Sequence, residues 1–370
     1  MPSLRRLIIT ALEEQGFTLA NRQLRADVTE KESIRRLHTI AVAHKRERAR
    51  ESLSSQESRL LMRFALGKTI VPERISPTLQ LVLPGTDNEL LFRYASLHWS
   101  IPISSGYGRR LRFLVIDEQN DKLIGLIGLG DPVYSMAARD TWIGWCQETH
   151  RRNLRHVMDA FVLGAVPPYS QLLGGKLVAA LVTSDEIRAA FSARYRGTTT
   201  RITGTPFDGR LALVITTSAL GRSSIYNRLS LNHRLMYCPV GWTQGSGEFQ
   251  FANGLYARMF AYAREHFDPS AKHSNWGTGF RNRREVVKRC LRAFDLPPSL
   301  LYHGIQRQVF AVPLARNTRE FLRGDHSRLH WITRPCKEIG EFCRERWMLP
   351  RAQREHGYLE FDPCSLRLWI

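Results

Sequence analysis

LRFLVIDEQNDKLIGLIGLG, Leu111 to Gly130, is the stretch whose reading decides the fold. Two runs of β-branched and other apolar residues flank the polar segment Glu118 to Asp121, and that alternation of apolar run, polar turn and apolar run specifies a β-hairpin over Arg112 to Gly130.

Downstream, Gln147 to Leu154 has helical character. Ala160 to Val166 reads as a buried strand that ends at Pro167-Pro168, because proline cannot donate to a ladder. From Ser170 to Tyr195 the residues Leu172, Leu173, Leu177, Ala180, Leu181, Ile187 and Phe191 recur mostly at three- and four-residue intervals. This is one long or broken helix, with Ser184-Asp185 as an internal cap or bend. Leu211 to Thr216 is a strand, Ser223 to Leu229 a short helix and Arg234 to Trp242 a further strand. The order β-β-α-β-α-β-α-β gives an α/β class, α+β overall, with a central mixed twisted sheet.

Upstream, the first 66 residues read as helices. Leu4, Leu7, Ile8, Ala11 and Leu12 share one face of a helix over Ser3 to Glu14, and Gly16 breaks it. Glu30 to Arg50 sets Ile34, Leu37, Ile40 and Ala41 at helical spacing among arginines that either touch phosphate or form a solvated face. Four prolines loosen the pattern between Gly67 and Gly108. Asn253 to His266 and Asn282 to Phe294 are helical, and Gln308 to Val312 is strand-like. The chain thus divides into a helical N-terminal region (1–66), a junction (67–111), a central α/β domain (112–267) and a basic C-terminal α+β region (268–370).

The formal charge of +20 arises from 54 Lys and Arg against 34 Asp and Glu, and 46 of the 54 are Arg. A charge of this size favours encounter with polyanions, and the Arg fork matches phosphate oxygens and guanine edges better than a Lys point charge does. Nucleic acid heads the partners, and composition does not separate DNA from RNA. A solvated basic surface, or one that meets acidic subunits, is the competing reading. The six cysteines form no C-x-x-C pair and no zinc-finger spacing, so they read as reduced packing thiols. With no signal-peptide pattern and no long apolar run, a cytoplasmic protein with no membrane contact is expected.

The strongest binding signal runs from Trp276 to Arg292. Arg281, Arg284, Lys288 and Arg292 recur near helical period, Arg283 and Arg289 share the helix, and Trp276 or Phe280 offers a stacking surface. A second patch, Arg109, Arg110 and Arg112, opens the hairpin. The two act as one site only where the fold brings them together.

Asp117 to Asp121 sit in the hairpin turn, where acids are solvated turn formers. Asp140, between Arg139 and the pair Trp142 and Trp145, is the better candidate for a functional carboxylate, with pairing to an arginine or helix capping as the alternative. No H-x-E, H-E-x-x-H or G-x-S-x-G string is present, and neither a metal nor a cofactor is expected. The chain leans away from catalysis.

Gly125 to Gly128, Ala138-Arg139-Asp140 with Trp142-Ile143-Gly144-Trp145, and the strand Ala160 to Pro167 carry a resemblance that Leu173-Gly174-Gly175-Lys176-Leu177, Thr216-Thr217-Ser218 with Gly221 to Tyr226, and Val240-Gly241-Trp242-Thr243 complete. Over Arg112 to Trp242 the chain resembles the Druantia anti-phage defence family, the first component of that system. The resemblance implies a role beside other subunits, one of them helicase-like, and supplies no catalytic residues. Similar domains joined to transposase-like proteins add to the DNA-directed expectation.

The strand order also looks like the N-acetyltransferase fold, whose pyrophosphate loop reads Gln/Arg-x-x-Gly-x-Gly/Ala. Here the string is Gln171-Leu-Leu-Gly174-Gly175-Lys176, and Lys176 departs from it. Backbone N–H groups at such a helix start bind phosphate of CoA, a nucleotide or a nucleic acid. The other use of a Gly pair there is close packing of helix on strand. Three functions therefore compete: recognition of phage or replication-related nucleic acid, a metal-dependent nuclease or acyl-CoA- or nucleotide-using transferase, and a protein-assembly module.

Overall fold

The computed structural model of the chain describes residues 3–103, 108–199, 204–231, 233–252, 254–269, 276 and 280–369, the side chains of Phe280 and Arg281 excepted. Seven strands build one mixed sheet: β1 (Pro77–Leu81), β2 (Arg110–Asp117), β3 (Lys122–Gly130), β4 (Val157–Ala165), β5 (Leu213–Thr217), β6 (Cys238–Trp242) and β7 (Gln308–Pro313). Their spatial order is β6-β7-β5-β4-β3-β2-β1. The β4–β5 pair is parallel and the other pairs are antiparallel.

The hairpin forms as its pattern dictates, with Leu114 opposite Leu126 and Arg110 opposite Gly130. Its first acid is no solvated turn former. Asp117 is fully buried and accepts from the Ser76 N–H at 2.9 Å and the Tyr169 hydroxyl at 2.8 Å, so it ties the turn to neighbouring segments. Burial pushes its carboxyl above the usual range against those hydrogen bonds.

The two faces are covered differently. Leu111, Phe113, Ile127 and Leu129 pack under α5 (Gly174–Leu181), α6 (Asp185–Tyr195) and α9 (Cys336–Cys343). The predicted break between α5 and α6 is there, with the Ser184 hydroxyl accepting from the Ile187 N–H at 3.4 Å. On the opposite face, Leu114, Ile116 and Leu126 meet Leu53 at the end of α2 (Lys31–Leu53) and Leu91 and Tyr94 of α3 (Asp87–Ala95). Farther along that face, Val157, Ile215 and Val309 pack against Ile143 of α4 (Ala137–Ile143) and Phe321.

The N-terminal region is not all helix. A small hairpin, Thr18–Ala20 with Gln23–Arg25, follows α1 (Leu4–Glu14), because Asn21 and Arg22 take the positive φ of a tight turn. These elements share a core with α7 (Leu255–His266) and α8 (Phe280–Ala293): Ile8, Leu12, Ile34 and Leu37 pack with Met259, Val286, Val287 and Leu291. Such burial is worth about 1.5–3 kcal/mol per large apolar side chain. The expected strand over Arg234 to Trp242 is also split. His233 takes a φ of 61°, Arg234–Leu235 folds back on Ser230–Leu231, and the sheet strand begins only at Cys238. Among the described residues no helix is long and apolar enough to cross a membrane.

Candidate nucleic-acid interface

Strand alternation sends Arg110 and Arg112 to the α2 side of the sheet, in line with Leu114 and Ile116, while Leu111 goes to the other core. There they meet α2, α3, α7 and α8 around a cleft of about 670 Å³. His44, Lys45 and Arg48 come from α2, Arg93 from α3 and Arg283 from α8. Phe92, Phe161 and Tyr256 supply aromatic surface, and among the described residues lining the cleft none is a carboxylate. The hairpin patch and the C-terminal basic helix thus converge, with Arg283 as the residue that joins them.

The cations are held at different strengths. Lys45 donates to the Ile103 carbonyl at 2.6 Å, and burial lowers its pKa. Arg93 donates to the Ser52 hydroxyl at 2.9 Å. Arg112 pairs with Glu89 at 2.7 Å and lies over Phe92. Arg283 lies 4.4 Å from the Tyr256 ring centroid and 3.7 Å from Glu248. Arg48 is exposed and has no ion-pair partner among the described residues, which leaves its full charge for a ligand.

Arg109 faces elsewhere. It pairs with Asp131 at 2.7 Å, donates to the carbonyls of Arg155 and Val157, and packs among Phe191, Tyr195 and Phe207. On α8, Arg289 is clipped to Glu285 at 2.9 Å and to the Asp268 carbonyl, over the Trp276 ring. Arg284, Lys288 and the exposed Arg292 lie on the same helix. The Arg281 side chain falls outside the described residues. His44, Arg93, Phe161 and Tyr256 escaped the sequence reading because they come from four separated segments, and only the charged stretch of α2 gave a signal.

Glu248 sets the charge of Arg283. Its side chain is 7% exposed and its Oε1 has no hydrogen-bond partner, so burial pushes its pKa up to about 7 while Arg283 and Arg284 draw it back. A carboxyl with a raised folded pKa binds its proton more tightly when folded. The stability it adds is therefore complete below the ordinary carboxylate range and is lost as pH rises through about 7. The denaturant midpoint of the chain relative to Glu248→Gln is expected to fall from pH 5 to 8 by the equivalent of up to about 2 kcal/mol after solvent screening. Parallel pH profiles for the two proteins assign no such contribution to Glu248.

The Gln171 to Lys176 loop is closely packed. Gly174 lies so close to Tyr169 that a Cβ would stand 2.6 Å from its carbonyl oxygen. The Gly174 N–H already donates to that oxygen, and the Lys176 N–H to Leu173. The Gln171 carbonyl accepts from Arg351, Gly175 sits beside Ile225, and the Lys176 ammonium lies over Trp347 at 4.9 Å. Asp140 accepts from the Met136 N–H at 2.9 Å at the start of α4 and pairs at 2.6 Å with Arg139, which is fully buried. Among the described residues no three His, Cys, Asp or Glu side chains group as a metal site requires.

The model of the family described as "Druantia protein DruA" matches residues 28–324, far beyond the segment that carried the resemblance. The chain belongs to the Druantia protein DruA family. The Druantia protein DruA of Escherichia coli (strain UMEA 4076-1) is 40% identical over 364 residues, which cover 97% of this chain and 87% of that protein. As a DruA family member the chain is a component of a Druantia anti-phage defence system and works beside its other components. The DruA match takes in every residue lining the cleft. No solved structure matches the chain, so the acetyltransferase-like reading rests on strand order and the Gln171 loop alone.

Proposed function

We propose that this chain is the nucleic-acid-binding subunit of its Druantia system and that the cleft between α2, α3, β2 and α8 holds the strand. The observation that carries the reading is the meeting of Arg48, Arg93, Arg110, Arg112 and Arg283 around aromatic surface, with no carboxylate among the described lining residues. Guanidinium groups take phosphate oxygens, and Tyr256 or Phe161 stacks on a base. The cleft volume falls within the range of about 300–1,000 Å³ typical of small-ligand pockets, which suits an extended strand or an extruded nucleotide better than a duplex. Single-stranded and forked DNA are thus the preferred ligands, DNA before RNA, of the kind a helicase-like partner exposes.

The test is binding of the purified chain to labelled single-stranded, double-stranded and forked DNA and to RNA across a salt series. Tightest binding to single-stranded or forked DNA is expected, with log K falling by roughly 0.7 per phosphate contact for each tenfold rise in salt. Absence of binding to any nucleic acid at about 50 mM salt, where non-specific contacts are strong, overturns the reading.

A further inference from the structure

On the other side of the sheet a second, smaller cavity of about 320 Å³ opens between the 230–235 hairpin and α9. Leu231, Ile332 and Ile339 give it apolar walls, and Arg234, Thr333, Arg334 and Glu338 give it polar ones. Leu231 and Ile339 belong to the core above the sheet face opposite the cationic cleft.

Arg334 makes this cavity unusual. The residue is 6% exposed, yet among the described residues its guanidinium has no hydrogen-bond acceptor and no ion-pair partner. Its backbone is fixed at both ends of the peptide, with the N–H donating to Asp185 at 2.9 Å and the carbonyl accepting from the Asp185 N–H at 3.0 Å. The Asp185 carboxylate is spent on Arg188, which also lies 4.5 Å from the Trp331 ring centroid. Arg234 and Arg188 both repel Arg334, against the attraction of the Asp185 carboxylate. A buried cation whose attracting carboxylate is already paired with another arginine is costly, and an anion entering the cavity lowers that cost.

The walls select which anion. Glu338 makes no ion pair among the described residues and disfavours a multiply charged ligand, while the apolar walls favour a carboxylate on a hydrocarbon stem. Leu235, 55% exposed, adjoins Arg234, and Trp331, 36% exposed, adjoins the cavity residue Ile332. An apolar residue flanking the carboxylate has surface to cover there.

We infer that the Arg334 cavity is a docking site for an acidic peptide segment of a partner protein, with one Glu or Asp side chain inserted beside Arg334 and an apolar neighbour on Leu235 or Trp331. The site is separate from the cleft, and the two readings fail independently.

The experiment titrates the full chain with the blocked peptide Ac-Leu-Glu-Leu-NH2, its Leu-Gln-Leu counterpart and inorganic phosphate, reading the thermal midpoint and the heat of binding. The Glu peptide is expected to bind at millimolar concentration and the Gln peptide at least about tenfold more weakly, the difference that one charge-assisted pair makes. Arg334→Leu abolishes the response and raises the midpoint of the free protein, because it deletes a buried cation that two neighbouring arginines repel. Arg234→Gln, on the surface, weakens peptide binding several-fold and leaves the midpoint in place. Equal response to both peptides, stronger response to phosphate, no response at all, or a lower midpoint in free Arg334→Leu each overturns the inference.

Discussion

Replacing Arg48, Arg110 and Arg283 together by glutamine is expected to lower affinity for single-stranded DNA by about 100-fold near 100 mM salt, and to reduce the salt slope by about two. The three residues come from α2, β2 and α8, and the cleft is where they meet. Arg48 and Arg110 are exposed, so the variant keeps its core. Arg289→Gln is the matched control. Arg289 carries the same charge on the same helix but is engaged by Glu285 and the Asp268 carbonyl, so its loss lowers stability and leaves the DNA slope nearly unchanged. Loss of binding on neutralising Arg284, Lys288 and Arg292, with the cleft variant unaffected, moves the site to the outer face of α8.

Why the sequence revealed one half of this site and hid the other is a matter of locality. Strand alternation and helical period are local, so the hairpin, β4, β5 and the helix α8 were all legible. Strand β1 was not, because Pro77 and Pro84 made its surroundings read as a loop. As an edge strand it tolerates Pro77 at its first position. Gln308 to Val312 was legible as a strand, but nothing local says that β7 inserts between β5 and β6, strands at least 66 positions earlier. The cleft depends on similar long-range closure. Arg109, Arg110 and Arg112 look equivalent in the sequence; alternation and the nearby Asp131 separate the first from the other two. Arg283 looked subordinate to the face carrying Arg284, Lys288 and Arg292, and it is Arg283 that α7 and α2 enclose.

Asp140→Ala is expected to destabilise the chain by about 3 kcal/mol, one of the largest effects of a single substitution here. Arg139 is buried completely, and once the carboxylate is gone it keeps the carbonyls of Val133 and Tyr134, the His150 ring nitrogen at 3.5 Å, the Trp145 ring and the attraction of Asp159. A buried guanidinium stripped of its counter-ion costs roughly 3–5 kcal/mol, and the two carbonyls hold the effect to the lower end. The Met136 N–H at the start of α4 also loses its acceptor, a further cost of about 1 kcal/mol. Urea denaturation separates this role from chemistry. A carboxylate that serves the fold gives a lower midpoint in Asp140→Ala, a smaller loss in Asp140→Asn, and substantial recovery in the double variant Arg139→Met/Asp140→Leu, which removes both charges at once. A carboxylate that serves catalysis gives an unchanged midpoint in all three, with loss of phage protection at normal protein levels. The 2.6 Å pair with a fully buried arginine favours the first outcome.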